Sequence, residues 1–216
     1  MKQLTIEYVF EGHRRGYNIT STRGNIDDAT QKLVWRNAMP RGQGWGAAEF
    51  TGARSLKCFP VSEREQALAE VYVTDLEDEH GRRGIRRAVV DILPVAECAE
   101  RLNEYLASYD ASVQTRIERL PTFLQWWRIV TEALPLLGGD GRVVLASPYV
   151  SARDWQLVEA LVLKVALSRL LPLRRWGKIT PFTTLALDAR DELRLVALPA
   201  SQVNGDAAID PIYLEP

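Results

Sequence analysis

The chain has 216 residues, 46% hydrophobic and 25% charged, which suffices for one large domain or two smaller ones sharing a core. Its formal net charge is −1, so no global positive field exists to attract nucleic acid or an anionic membrane, and any such binding has to be local. The two cysteines, Cys58 and Cys98, are far apart and outside any metal-ligand spacing, which fits buried free thiols in a reducing compartment.

The start, "MKQLTIEYVFEG", lacks the apolar core of an export signal, so the expected location is the cytoplasm. Residues 3–10 alternate with β-branched and aromatic content and predict a strand. "EGHRR" then reads as a turn and "GYNIT" as a second strand. Asn25 is placed to cap a helix over "IDDATQKLVWRNA", with Asp27 and Asp28 in its first turn and Pro40 beyond its end. "RSLKCFPV", "AEVYVTD" and "IRRAVVDIL" predict three more strands, the last two joined by the charged loop "LEDEHGRR".

At Pro94 the character changes. Val95, Ala99, Leu102, Leu106, Tyr109 and Val113 recur at helical spacing. "TFLQWWRIVTEALPLL", after Pro121, predicts a second helix. "RVVLAS" is a short strand, and "SARD" from Ser151 opens a long apolar helix to about Leu171. Glu159, Lys164 and Arg169 break that apolar run, which therefore reads as buried and not as a membrane span. "KITPFTTLALD" and "LRLVALPA" predict a closing hairpin, and the tail from Ser201 reads as loop. Strands first, helices next and a final hairpin make an α+β protein with a mostly antiparallel N-terminal sheet. The expected division is a strand-rich region over 1–94 and a helical region with its hairpin over 95–216.

Chemistry-bearing motifs are sparse. There is no GxxxxGK[ST], HExxH or GxSxG, and no Cys/His cluster, so neither cofactor nor metal is expected. "RGQGWG" has the glycines of a phosphate loop but follows a helix and Pro40 where such a loop follows a strand. The two histidines are His13, in the first turn, and His80, in a charged turn that reads as solvated. Arginine forks suit anions, and Arg82, Arg83, Arg86, Arg174 and Arg175 are candidate anion-binding residues. On a strand, Arg86 and Arg87 have to point to opposite faces. Trp126 and Trp127 are adjacent on a helix and cannot both hold the centre of one buried stripe. With Arg128 they have the composition of a partner-binding hot spot, core packing being the other reading.

The opening stretch carries a resemblance. Tyr8 and Phe10 form an aromatic-x-aromatic pair, followed by Glu11, then Gly12, His13 and Arg14, then an apolar stretch ending in Ser21. This resembles the N-terminal domain of bacterial GTPase-associated proteins of conflict and immunity systems. Arg82 and Gly84, opening the strand "AVVDIL", are similar to a second motif of that family. The resemblance spans about residues 4–95. It implies a non-enzymatic adaptor subunit working beside a GTPase or another effector in a multi-subunit assembly, and assigns no catalytic residue. Gly12 and His13 also suit a plain tight turn with a hydrogen bond across it. The alternative function is a nucleic-acid or nucleotide sensor using the arginines, although the net charge does not favour it. A hydrolase using His13 stands behind both.

Overall fold

A computed structural model describes residues 2–10, 15–38, 52, 54–78, 80–81, 84–108, 125, 128, 132, 143–147, 152–165, 182–183, 195–199 and 212–213. Five strands form an antiparallel sheet: β1 (Lys2–Val9), β2 (Gly16–Arg23), β3 (Arg54–Pro60), β4 (Glu65–Val73) and β5 (Arg86–Pro94). They lie in the order β2-β1-β5-β4-β3. β1 and β2 are the expected first hairpin, closed by Val9 opposite Gly16. Their register shifts between Thr5 and Ile6, which face Ser21 and Ile19, so Thr20 is the extra residue of a bulge. In the loop between β4 and β5, the Thr74 N–H donates to the Ile85 carbonyl at 2.8 Å. Gly81, at φ +70°, donates its N–H to the Asp78 carbonyl, a turn conformation that a side chain would strain.

Helix α1 (Asp28–Ala38) follows β2. Its cap is Asp27 and not Asn25. Asp27 Oδ1 accepts the Thr30 N–H at 2.8 Å, Oδ2 accepts the Thr30 hydroxyl at 2.9 Å, and the Asp27 carbonyl accepts the first helical bond from Gln31. After β5 comes a 3-10 turn (Val95–Glu97) and helix α2 (Cys98–Ala107). The buried stripe of α2 is Cys98, Leu102 and Tyr105, displaced from the expected Val95, Ala99, Leu102 and Leu106. The helix starts at Cys98 and presents Tyr105 to a polar network, which rotates the face.

Strand β6 (Val143–Ser147) and helix α3 (Ala152–Val165) match the expected elements. Three short strands follow: β7 (Phe182–Thr183), β8 (Leu195–Pro199) and β9 (Ile212–Tyr213). Here the closing hairpin is corrected. β7 pairs antiparallel with β3, while β8 runs parallel to both β7 and β6. The direction of β8 is set by five register pairs with β6, not by a turn back from β7. Ile212 and Tyr213, in the tail expected to be loop, pair parallel with Leu145 and Ala146. The chain leaves the antiparallel strands at Pro94, but hydrogen bonding continues through β3 and β7 into the order β7-β8-β6-β9. The protein is α+β, with a parallel element in its C-terminal half. No helix among the described residues is long and apolar enough to cross a membrane.

The antiparallel sheet has two covered faces. α1 lies on one, where Val34 and Ala38 pack with Leu4, Ile6, Ala69 and Val90. α2 and α3 cover the other. Both cysteines are free and buried.

Candidate functional site

Two places gather chemistry. The first lies beneath α2 and α3. Alternation places Arg54, Glu70 and Asp91 on the same sheet face. Arg54 Nη1 donates to Glu70 Oε1 at 3.2 Å and to the Ser108 hydroxyl at 3.1 Å, and its Nε lies 3.9 Å from Glu159 Oε1 on α3. Arg101, on α2, donates from Nη2 and Nε to Asp91 Oδ2 at 2.9 and 3.1 Å, and from Nη1 to Glu104. Gln3 donates to the other Asp91 oxygen at 2.7 Å. Both guanidinium groups lie over the Tyr105 ring, at 5.8 Å for Arg54 and 4.9 Å for Arg101.

Burial shapes the protonation of this region. It raises the Tyr72 and Tyr105 hydroxyls above the ordinary tyrosine range, and Glu70 reinforces the rise in both. Hydrogen bonding to Glu104 is the largest influence raising the Arg101 guanidinium. The Cys58 thiol, donating to Gln66 Oε1 at 2.9 Å, is pushed well up by burial and by Cys98. Burial lifts Cys98 to about 11. The cysteines are thus protonated thiols at neutral pH, the inert form. The buried carboxylates each face a cation, and the arrangement ties α2 and α3 to the strands. Among the described residues no group of His, Cys, Asp and Glu has the geometry of a metal site.

The second place lies on the other face, at the turn end of β1 and β2. Tyr8 contacts Phe10 and Tyr17 edge-to-face, with ring centroids 5.1 and 5.3 Å apart. The Trp35 indole N–H, on α1, donates to the Tyr17 carbonyl at 3.3 Å, and the Tyr17 hydroxyl accepts the Arg86 backbone N–H at 3.1 Å. Phe10, Tyr8, Tyr17 and Trp35 therefore form one unbroken strip across β1, β2 and α1. Phe10 is 40% exposed and Trp35 42%, with Leu33 also exposed on α1. Val34 takes the centre of the α1 buried face, which turns its neighbours Leu33 and Trp35 to the two flanks.

Few of the residues singled out from the sequence fall on either place. Gly12, His13, Arg14, Arg82, Arg83, Trp126, Trp127, Arg174 and Arg175 lie outside the described residues. Ser21 is exposed on β2 opposite Thr5. Arg86 and Arg87 do point to opposite faces. Arg86 is buried on the α1 side, where burial pulls its guanidinium down to about 10, whereas Arg87 is exposed and bonds Glu7 at 2.9 Å. Arg128 is exposed and donates to Glu132 at 2.8 Å, one helical turn on. His80 is exposed in its turn, where its N–H donates to Asp78 Oδ1. The network beneath α2 and α3 was missed. Its signal is a single charge inside an apolar run: Glu70 in "ALAEVYV", Asp91 in "AVVDIL" and Glu159 in "LVEALVL".

No family model, no curated protein and no solved structure matches this chain.

Proposed function

We propose that the chain is a non-enzymatic adaptor subunit of a cytoplasmic bacterial defence assembly, docking a protein partner, a GTPase or another effector, on the aromatic strip beside its first hairpin. The observation that carries this reading is the continuous contact from Phe10 through Tyr8 and Tyr17 to Trp35, with both ends of the strip open to solvent. Large aromatics left exposed in a contiguous strip are the usual anchors of protein interfaces. Tyr8 and Phe10 are also the aromatic-x-aromatic pair on which the resemblance to GTPase-associated proteins rests, and that resemblance supplies the defence context. Arg54, Arg87, Arg101 and Arg128 are each engaged by a carboxylate, which supports a protein partner over a nucleic acid.

Affinity capture of the full chain from its native cell, followed by calorimetry with the purified partner, tests the reading. Phe10→Ala and Trp35→Ala should each weaken that complex by about 2 kcal/mol or more. The melting temperature should stay nearly unchanged, because both side chains are already partly in water. A partner that binds both variants as it binds the parent chain overturns the reading. Retention on heparin at moderate salt, lost on arginine substitution, would favour a nucleic-acid function.

A further inference from the structure

We propose that β2 receives an acidic, extended segment of the partner protein as an added strand; this rests on the interaction reading above and names the partner's chemistry. β2 is the outermost strand of the sheet, and among the described residues it pairs only with β1. It is eight residues long, contains no proline and ends in four exposed residues, Thr20–Arg23. A strand edge of this kind offers a row of backbone donors and acceptors to an incoming chain.

Trp35 shows which groups point outward. Its indole N–H reaches the Tyr17 carbonyl, which therefore faces away from β1. Pairing alternates along an antiparallel ladder, so with the bulge at Thr20 the next outward residue beyond it is Thr22, opposite Leu4. The indole occupies the position that a neighbouring strand's N–H would take. A segment laid along β2 passes beside the aromatic strip, so strip and edge form one surface.

Charge selects the occupant. Between Glu11 and Asp27 the sequence has three arginines, Arg14, Arg15 and Arg23, with His13 and no acidic residue. Arg15 and Arg23 flank β2 and are both exposed. A second copy pairing antiparallel about Ile19 would set Arg15 of one chain against Arg23 of the other, and a parallel copy would oppose like residues. Like charges directly opposed across strands are unfavourable, so the edge disfavours itself and favours glutamate or aspartate.

The probe is a fluorescent peptide of β2's own length, eight residues, alternating glutamate and valine, with a lysine–valine peptide as its control. Fluorescence anisotropy on the full chain should show binding of the acidic peptide only. Arg23→Glu should weaken it by about ten-fold, with the effect shrinking as salt rises. Thr22→Pro removes an outward N–H and should weaken binding by a similar factor, about ten-fold. Exchange of the Thr22 amide should slow on binding. Failure of the acidic peptide to bind, equal binding of the basic one, an unprotected Thr22 amide, or a dimer broken by Arg23→Glu would each overturn the proposal. Arg23→Glu keeps the backbone intact, so it remains decisive if Thr22→Pro unfolds. Loss of the native partner in Trp35→Ala, with Arg23→Glu and Thr22→Pro unaffected, would sink the added strand and leave the adaptor reading standing.

Discussion

On its α1 side the antiparallel sheet buries Leu4, Ile6, Ala67, Ala69, Ala88, Val90 and Ile92 against Val34 and Ala38. On its α2 and α3 side it buries Glu70 and Asp91, with Glu159 of α3 above them. The first face is held by removal of apolar surface from water, which is strong but non-directional. The second is held by pairs that work only in one geometry. Arg101 fixes α2 to Asp91 on β5, and Arg54 reaches Glu70, Glu159 and the end of α2 at Ser108. Desolvation offsets much of the attraction in such pairs, so they add little net stability and mainly specify where each helix sits.

That contrast can be broken by mutation. The largest effect belongs to the apolar face. Leu4→Ala, at a fully buried position, should cost about 3–5 kcal/mol in chemical denaturation. A loss below about 1 kcal/mol would mean that this face is not packed as described. The charged face should respond asymmetrically. Arg101→Ala leaves the Asp91 carboxylate buried with Gln3 as its remaining printed partner and should cost about 2–3 kcal/mol. Asp91→Ala leaves a guanidinium that is 37% exposed and can rehydrate, so about 1–2 kcal/mol is expected. Replacing both by leucine should recover part of the loss. Equal costs for the two single variants would show that burial does not distinguish the partners.

Alkali should act on the charged face as well. Cys58, Cys98, Tyr72 and Tyr105 all have folded-state values raised above the ordinary ones, mainly by burial. A raised value means that the folded state holds its proton longer than the unfolded state. Their contribution is therefore fully present below about pH 9 and is lost as pH rises, for Cys98 through about 11. Urea midpoints measured from pH 8 to 11 should fall, and cysteine-to-serine variants should flatten the first part of the decline. At pH 8 a thiol reagent should find two groups in denaturant and react slowly with the native chain. Fast native labelling would contradict their burial.

The two faces also differ in how far the sequence reveals them. Alternation in β1 and β5 is plain because Leu4 and Ile6, or Ala88, Val90 and Ile92, share the α1 face. β4 was placed at "AEVYVTD", although it begins at Glu65; Glu, Gln and Ala carry little strand propensity, and only the neighbours of Gln66 and Leu68 make that segment extend. The charged face is legible only as anomaly. Glu70, Asp91 and Glu159 announce buried carboxylates, but nothing local says that Arg54 and Arg101 will meet them. Pairing of β8 with β6 is likewise set between residues about fifty positions apart, which local turn signals cannot encode. The aromatic strip was half legible: Tyr8 and Phe10 stood out as a motif, whereas Trp35 joins them only because α1 folds back over β2.

The smallest expected effect concerns the start of α1, the element that carries Trp35 to the strip. Asn25 and Asp27 are both good cap types, and spacing alone cannot separate them. Geometry does: Asp27 accepts the Thr30 N–H and hydroxyl, and its own carbonyl starts the helical ladder. These Thr30 hydrogen bonds, the backbone one first, hold the Asp27 carboxyl below its ordinary value. Asp27→Ala should lower the melting temperature by about 3 °C near neutral pH, whereas Asn25→Ala should leave it unchanged. A lowered carboxyl value means that the contribution is present above the unfolded value and is lost as pH falls through the folded one. The gap between parent and Asp27→Ala should therefore narrow below about pH 4. Asp27→Asn keeps an acceptor oxygen and should lose the pH dependence while retaining most of the stability. If Asn25→Ala instead produces the larger drop, the helix begins one turn earlier than described, Trp35 rotates away from the Tyr17 carbonyl, and the strip on which the partner surface depends is dismantled.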